Sequence, residues 1–436
     1  MAGERIGSAS RFAPATGAVW PRRALALALL AALLAMGGCS GRPVGNLVVV
    51  SASAPGAETV DMLVATTREA TAQPPGVLFD GERGIGLAFA DIAISVPPDA
   101  ARKVGEVQWP STPPGDPSRD FVTVRADRID LAEARARLDH RLAQTPGRHV
   151  LVFVHGYNTR FEEAVYRFAQ VAHDAHAGVL PVLFTWPSRG KLFDYLYDRD
   201  SATYSRDALE AVLQGLAKDP NVAEISILAH SMGNVVAIEA LRQMAIRNRG
   251  VSPKIKDVML AAPDIDVDVF RRAIAEIDAE GKTPPVTLFV SQDDRALSFS
   301  RWVAGDAPRL GAIDPTKEPY RGLLDRAHVQ VVDLTKVASD DPTNHSKFAS
   351  SAVVEAIGVR LATGQKLNDS KASLGETLGS FAIGASKAVG NTAAFAVSAP
   401  LAIVDPATRD VLSDQAGAAV DSASGLAQTP AHLLGQ

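Results

Sequence analysis

The sequence predicts an α/β fold, with a mostly parallel sheet covered by helices on both faces. Three observations lead there. Six short apolar runs, Val150–Val154, Val182–Thr185, Ile225–Ala229, Val258–Ala262, Val286–Val290 and Val329–Leu334, are apolar almost throughout rather than alternating, which is the pattern of strands buried on both sides. Between them lie segments of helical period, such as Leu209, Val212, Leu213 and Leu216 on one face. Every residue group with chemical potential falls just after one of these runs, and the carboxyl ends of such strands are where ligands bind.

The chain has 436 residues, is 47% apolar and carries a formal net charge of −5. That profile suits one large globular domain with additions and gives no basic excess for nucleic acid. Cys39 is the only cysteine, so neither an intrachain disulfide nor a cysteine-based metal site is possible. Arg5, Arg11, Arg22 and Arg23 precede an apolar run, Ala24 to Ala35. The run is shorter than the roughly 20 residues a spanning helix needs, and has the size of a signal-peptide core. The following Met36-Gly37-Gly38-Cys39-Ser40 resembles the cleavage box of bacterial lipoproteins, where the signal is cut before a cysteine that then carries lipid. That resemblance implies a signal peptide over 1–38, lipid on Cys39, a tether over 39–57 and a membrane anchored through Cys39. The address is the bacterial cell envelope, at the periplasmic side of the outer membrane given Ser40. Without lipid on Cys39 the expectation becomes a secreted or periplasmic protein.

Ahead of the parallel region, Val60–Thr67, Phe89–Val96, Val104–Trp109 and Phe121–Val124 read as strands bounded by proline and glycine, extending the sheet as antiparallel edge strands. Leu131–Leu142 reads as a helix. From Asn368 the chain turns rich in alanine, serine and glycine, and 366–436 is expected to be a loosely ordered tail after a domain spanning 58–365.

The chemistry centres on Glu224 to Asn234, a strand, a sharp corner bearing Ser231, and a helix whose apolar positions are Val235, Val236, Ile238, Leu241 and Met244. A serine lifted on such a corner needs small residues two before and two after it, here Ala229 and Gly233, an A-x-S-x-G form of the G-x-S-x-G pattern. The N–H of Met232 opens that helix, and Tyr157 follows Gly156 just past the first parallel strand. Their two N–H groups are the expected oxyanion donors. A serine hydroxyl also needs a base, usually histidine. His230 adjoins Ser231 and is expected to face elsewhere. His155 belongs to the first loop, and His173 and His176 to a helix whose face is more simply solvated than zinc-binding. With the order nucleophile, acid, histidine, the remaining histidines are His328, His345 and His432, and His345, in a polar loop beyond the last strand, fits best. The acid is expected to be Asp294, with Asp293 and then Asp266 as alternatives. The Asp264 to Asp268 cluster lacks the glycine and glutamate of a calcium loop, so no metal and no cofactor are expected.

His155-Gly156-Tyr157-Asn158, Trp186-Pro187-Ser188, Ala229 to Asn234, Ala262 to Asp266 and Asp294-Arg295-Ala296-Leu297 together resemble the α/β-hydrolase superfamily. Within it they resemble a poorly characterised bacterial esterase/lipase-like branch, as do Val64 to Arg68 and Gly81 to Gly84. The likeness covers roughly Glu58 to Leu361. It implies the α/β-hydrolase fold, supports the aspartate of the D-R-A-L segment as the triad acid, and implies a serine-dependent hydrolase of carboxylic esters, its substrate a small-molecule or lipid ester. Three other readings use the same features: acyl transfer to an alcohol, an envelope binding protein that keeps the fold without catalysis, and peptide hydrolysis. Trp186, Pro187, Phe193, Tyr195 and Tyr197 either line a pocket or pack the loop, the second being the simpler expectation.

Overall fold

Among the described residues nine strands lie in one sheet whose order places the strands that come first in the chain beside the parallel region. The computed structural model describes residues 44–362. In chain order the elements are β1 (Glu58–Ala70), β2 (Phe79–Val96), β3 (Val122–Ile129), α1 (Leu131–Leu142), β4 (His149–Val154), α2 (Phe161–Ala175), β5 (Leu180–Thr185), α3 (Tyr195–Lys218), β6 (Glu224–His230), α4 (Gly233–Asn248), β7 (Ile255–Ala261), α5 (Val267–Ile277), β8 (Val286–Val290), α6 (Arg295–Val303), α7 (Tyr320–Arg326), β9 (Gln330–Asp333) and α8 (Ser351–Ala362). The signal peptide expected over 1–38, Cys39 and the tail 366–436 lie outside the described residues.

The sheet order is β3-β2-β1-β5-β4-β6-β7-β8-β9. From β1 through β5 to β9 the neighbours run parallel; β1–β2 and β2–β3 are antiparallel. The strands bury both faces because alternate residues point to opposite sides. Val150, Val152, Val182, Ile225, Ile227 and Val258 join one core with residues of α3, α4 and α5. Leu151, Phe153, Leu183, Leu228 and Met259 join the other with residues of α2 and α8.

The expected helix over Leu131–Leu142 forms, capped by Asp130, whose Oδ1 accepts the Glu133 N–H at 2.8 Å. The N-terminal strands differ from expectation in three ways. Val104–Trp109 is a loop, not a strand. Gly105, with φ +90°, interrupts it and Pro110 follows it; Trp109 stacks on Tyr166 at 4.9 Å instead of joining a ladder. β2 starts ten residues before Phe89, at Phe79, and β3 continues past Val124 to Ile129. β1 is not at the edge: it sits between β2 and β5. Part of the expected tether is also packed. Asn46 and Leu47 are buried, and the Val50 N–H donates to Thr123 O at 2.8 Å. Among the described residues no helix is long and apolar enough to cross a membrane.

Candidate active site

Ser231 stands at the carboxyl end of β6 with φ +53°, in the left-handed region that a non-glycine residue occupies only when its surroundings impose it. The surroundings are explicit. Its N–H donates to Ala261 O at 2.9 Å, and its carbonyl accepts the Asp264 N–H at 3.2 Å and the Asn234 N–H at 3.1 Å. Asn234 Nδ2 adds a third donor to that carbonyl at 2.8 Å. The small neighbours have a measurable reason. A Cβ on Gly233 would lie 2.3 Å from His155 O, and one on Gly156 would lie 2.8 Å from the Ser231 Cβ. α4 begins immediately, and the Met232 N–H, at its cap, makes no hydrogen bond among the described residues.

Across the rim, His345 lies on the loop between β9 and α8. The Asp341 carboxylate shapes that loop by accepting the N–H groups of Thr343, His345 and Ser346 at 2.9, 2.9 and 2.8 Å. His345 Nδ1 lies 2.7 Å from Asp294 Oδ2. Asp294 is fully buried at the start of α6, and its other oxygen accepts the Leu297 N–H at 2.9 Å. One carboxylate thus caps a helix and holds an imidazole. Burial alone would lower the pKa of His345, but the Asp294 hydrogen bond and charge outweigh it and raise the pKa above its ordinary value.

The two alternative acids are engaged elsewhere. Asp293 accepts from Lys347 Nζ at 2.9 and 3.0 Å and from Ser291 Oγ at 2.5 Å. Asp266 caps α5 through the N–H groups of Asp268 and Val269, at 2.8 and 3.2 Å. Among the described residues no hydrogen bond joins Ser231 Oγ to His345. His230 links them: its ring centroid is 4.7 Å from that of His345 and 4.4 Å from that of Phe348. The expectation that His230 faces elsewhere is therefore wrong. The strained corner swings its ring onto that of His345, where burial, then the charge of His345, hold its pKa well below the ordinary value.

The loops behind Tyr157 meet on a hub that sequence reasoning missed. The His155 ring is fully packed, stacked on Trp186 at 5.0 Å, and its Nε2 accepts the Trp186 N–H at 3.1 Å. The Trp186 indole donates to His155 O at 2.8 Å, so this residue packs the loop rather than lining a pocket. Burial, then the charge of Arg68, push the pKa of His155 well below the ordinary value. Tyr195 is likewise internal: its hydroxyl donates to Asp264 Oδ2 at 3.1 Å and meets Ser300 Oγ at 2.9 Å. Tyr197 lies under Arg189 at 3.5 Å, while Phe193 is 88% exposed. His173 turns to Asp174, 3.0 Å from its Nδ1, and among the described residues no group of three or more histidine, cysteine or acidic side chains is arranged to hold a metal.

A mostly parallel, helix-covered sheet, with a strained serine after a central strand and an Asp–His pair after later strands, defines an α/β hydrolase. A family model described as "Alpha/beta hydrolase of unknown function (DUF900)" matches residues 130–362, more than half of the chain, and the chain belongs to that family. It is also similar to the uncharacterized protein alr1448 of Nostoc sp. (strain PCC 7120 / SAG 25.82 / UTEX 2576), at 29% identity over 124 residues, covering 22% of this chain and 32% of that one. The chain thus spans about a third of the length of this curated relative. Among solved structures, it is similar to a lipase-esterase related protein from Clostridium acetobutylicum ATCC 824, with 10% identity, coverage of 49% of this chain and 93% of that one, and a TM-score of 0.27. It is similar too to esterases from Rhizomucor miehei, with 13% identity, coverage of 81% and 94%, and a TM-score of 0.27.

Proposed function

We propose that this hydrolase cleaves carboxylic esters through an acyl-enzyme. The observation that carries the reading is the 2.7 Å bond between His345 Nδ1 and Asp294 Oδ2 at the rim where Ser231 is held in a strained corner. Ser231 Oγ attacks the acyl carbon while His345 Nε2 takes its proton; Asp294 fixes the tautomer and supports the imidazolium. The N–H groups of Tyr157 and Met232 receive the oxyanion, each such donor contributing roughly 3 kcal/mol in other enzymes. The C–O bond to the alcohol breaks as His345 returns the proton to the leaving oxygen. Water, deprotonated by the same imidazole, then attacks the acyl carbon, and Ser231 leaves with its proton restored. Apo enzymes often lengthen the serine–imidazole contact, and substrate closes it.

The test is a panel of p-nitrophenyl esters and peptide amides on purified protein beside Ser231→Ala, with fluorophosphonate labelling of both. Ester turnover and labelling in the wild type, both lost in Ser231→Ala, support the reading; labelling that persists in Ser231→Ala sinks it. The lone Cys39 after an apolar run supports a second, separate proposal, a lipid anchor in the bacterial envelope. Cys39→Ser is expected to abolish incorporation of labelled fatty acid, and unchanged incorporation removes the anchor without touching the enzyme.

A further inference from the structure

The Tyr157 N–H sits in a turn, His155 to Arg160, that leaves β4 through a left-handed Asn158 (φ +57°). Both flanks of Tyr157 are tied down from other parts of the chain. From β1, Arg68 Nη2 donates to Thr159 O at 2.8 Å and lies 3.3 Å from His155 Nε2. The same guanidinium donates from Nη1 to Ser188 O at 2.8 Å and Asp80 O at 3.0 Å, and from Nε to Thr185 Oγ1 at 2.8 Å. From α3, the Asp198 carboxylate accepts the Asn158 N–H at 3.1 Å, the Arg189 N–H at 3.0 Å and the Ser188 hydroxyl at 2.5 Å. Ser188 Oγ in turn accepts the Thr159 N–H at 2.9 Å. Arg68 is 2% exposed and Asp198 fully buried.

A buried cation kept only for stability is normally paired with a carboxylate. Among the described residues Arg68 forms no ion pair within 4.0 Å; its donors go to loop carbonyls, a threonine and an imidazole. Burial lowers its pKa to about 10, so it stays charged at neutral pH, with Asp198 its strongest electrostatic neighbour. The guanidinium presents five donors in a rigid planar fork, a geometry that the compact ammonium of lysine does not reproduce.

We propose that Arg68 and Asp198 together are positioning residues for the oxyanion turn, clamping it from two sides so that the Tyr157 N–H is aimed before substrate arrives. The proposal rests on the serine-hydrolase reading. A donor displaced by about 1 Å loses roughly 100-fold in rate without weakening ground-state binding.

The test compares the wild-type chain with Arg68→Lys, Asp198→Asn and the double variant. It reads ester kcat and KM, the rate of fluorophosphonate labelling of Ser231, and thermal melting. Each single variant is expected to lower kcat and labelling rate by roughly 10–100-fold with KM within about twofold, and the double variant to lose little more than the worse single one. Ser188→Ala, which removes one hydroxyl from the clamp, decides the matter if the buried-charge variants fail to fold: the same split, kcat falling with KM unchanged, is expected. Folded variants that label and turn over at the wild-type rate, a loss confined to KM, or losses that multiply in the double variant overturn the clamp. If even the wild type is not labelled, the serine-hydrolase reading falls first, and the clamp with it.

Discussion

His345 Nδ1 and Asp294 Oδ2 lie 2.7 Å apart although 51 residues separate them in the chain. Because the other Asp294 oxygen caps α6 through Leu297 N–H, the carboxylate cannot swing away without unwinding the helix start. Asp294→Asn is expected to lower kcat by about 10⁴-fold, as loss of a triad acid does elsewhere. Asp266→Asn, whose carboxylate only caps α5, is expected to stay within a few-fold of wild type by the same reasoning. Steady-state kinetics on one activated ester separates the two. An active Asp294→Asn beside an inactive Asp266→Asn reverses the assignment.

The raised pKa of His345 has a direct kinetic consequence. The base must be neutral, so kcat/KM for an uncharged ester is expected to rise with pH through a midpoint above the ordinary histidine value of about 6.5. His155 and His230, both held well below that value, are neutral throughout and add no step. For stability the sign is opposite. A folded pKa above the unfolded one makes the His345–Asp294 contribution full below the ordinary value, and it fades as pH rises through the raised one. A kcat/KM profile with its midpoint at or below about 6.5 contradicts the assignment.

Two glycines should respond in opposite directions to one added methyl group. At Gly233 a Cβ would meet His155 O at 2.3 Å and Val154 O at 2.7 Å, so Gly233→Ala must push the turn that follows β4 away from the Ser231 corner. A loss of about 1–3 kcal/mol is expected, with activity falling more than stability. At Gly215, inside α3, a Cβ meets nothing within 4 Å. Gly215→Ala is expected to gain about 0.5–1 kcal/mol from helix propensity. Urea denaturation of the two variants tests both signs.

Lys347 connects Asp293 to the His345 loop from below. It is 2% exposed, and its ammonium donates to Asp293, to Ser291 Oγ at 3.1 Å, and to Leu334 O and Thr335 O at 3.0 Å each. Lys347→Met removes the donor from the buried Leu334 carbonyl and from Asp293, whose side chain is half-exposed and still accepts from Asn344 Nδ2 at 2.9 Å. A cost of about 1–3 kcal/mol is expected, since the buried Leu334 carbonyl loses its charged donor. A melting temperature unchanged in Lys347→Met contradicts this.

The parallel half of the fold was legible because its strands are apolar on both sides: Val150–Val154 and Ile225–Ala229 admit no other reading once helices separate them. The polar start of β2, Asp80-Gly81-Glu82-Arg83-Gly84, was illegible because it is held by backbone pairing with β1, including Arg68 opposite Arg83, and not by burial pattern. Val104–Trp109 misled for the converse reason: Val107 and Trp109 pack against the core without joining a ladder, and Val104 is exposed. At the site, the sequence offered Asp294 and His345 as partners, and the structure brings these two together at 2.7 Å. The placing of His230 and of Arg68 was not legible. The direction of the first depends on a backbone strain invisible in composition, and the role of the second on partners at Asp80, Thr159, Thr185 and Ser188 that only tertiary structure gathers.

The family match begins at residue 130, yet β1 pairs with β5 over Leu63–Thr66 and Val182–Thr185. A truncation guided by that boundary would strip three strands and leave β5, with Leu180, Leu183 and Phe184 all buried in the intact chain, as an open template for its own kind. Such a fragment is expected to elute as aggregate in size-exclusion chromatography, so the folding unit to express starts in the segment before β1, not at the helix after β3.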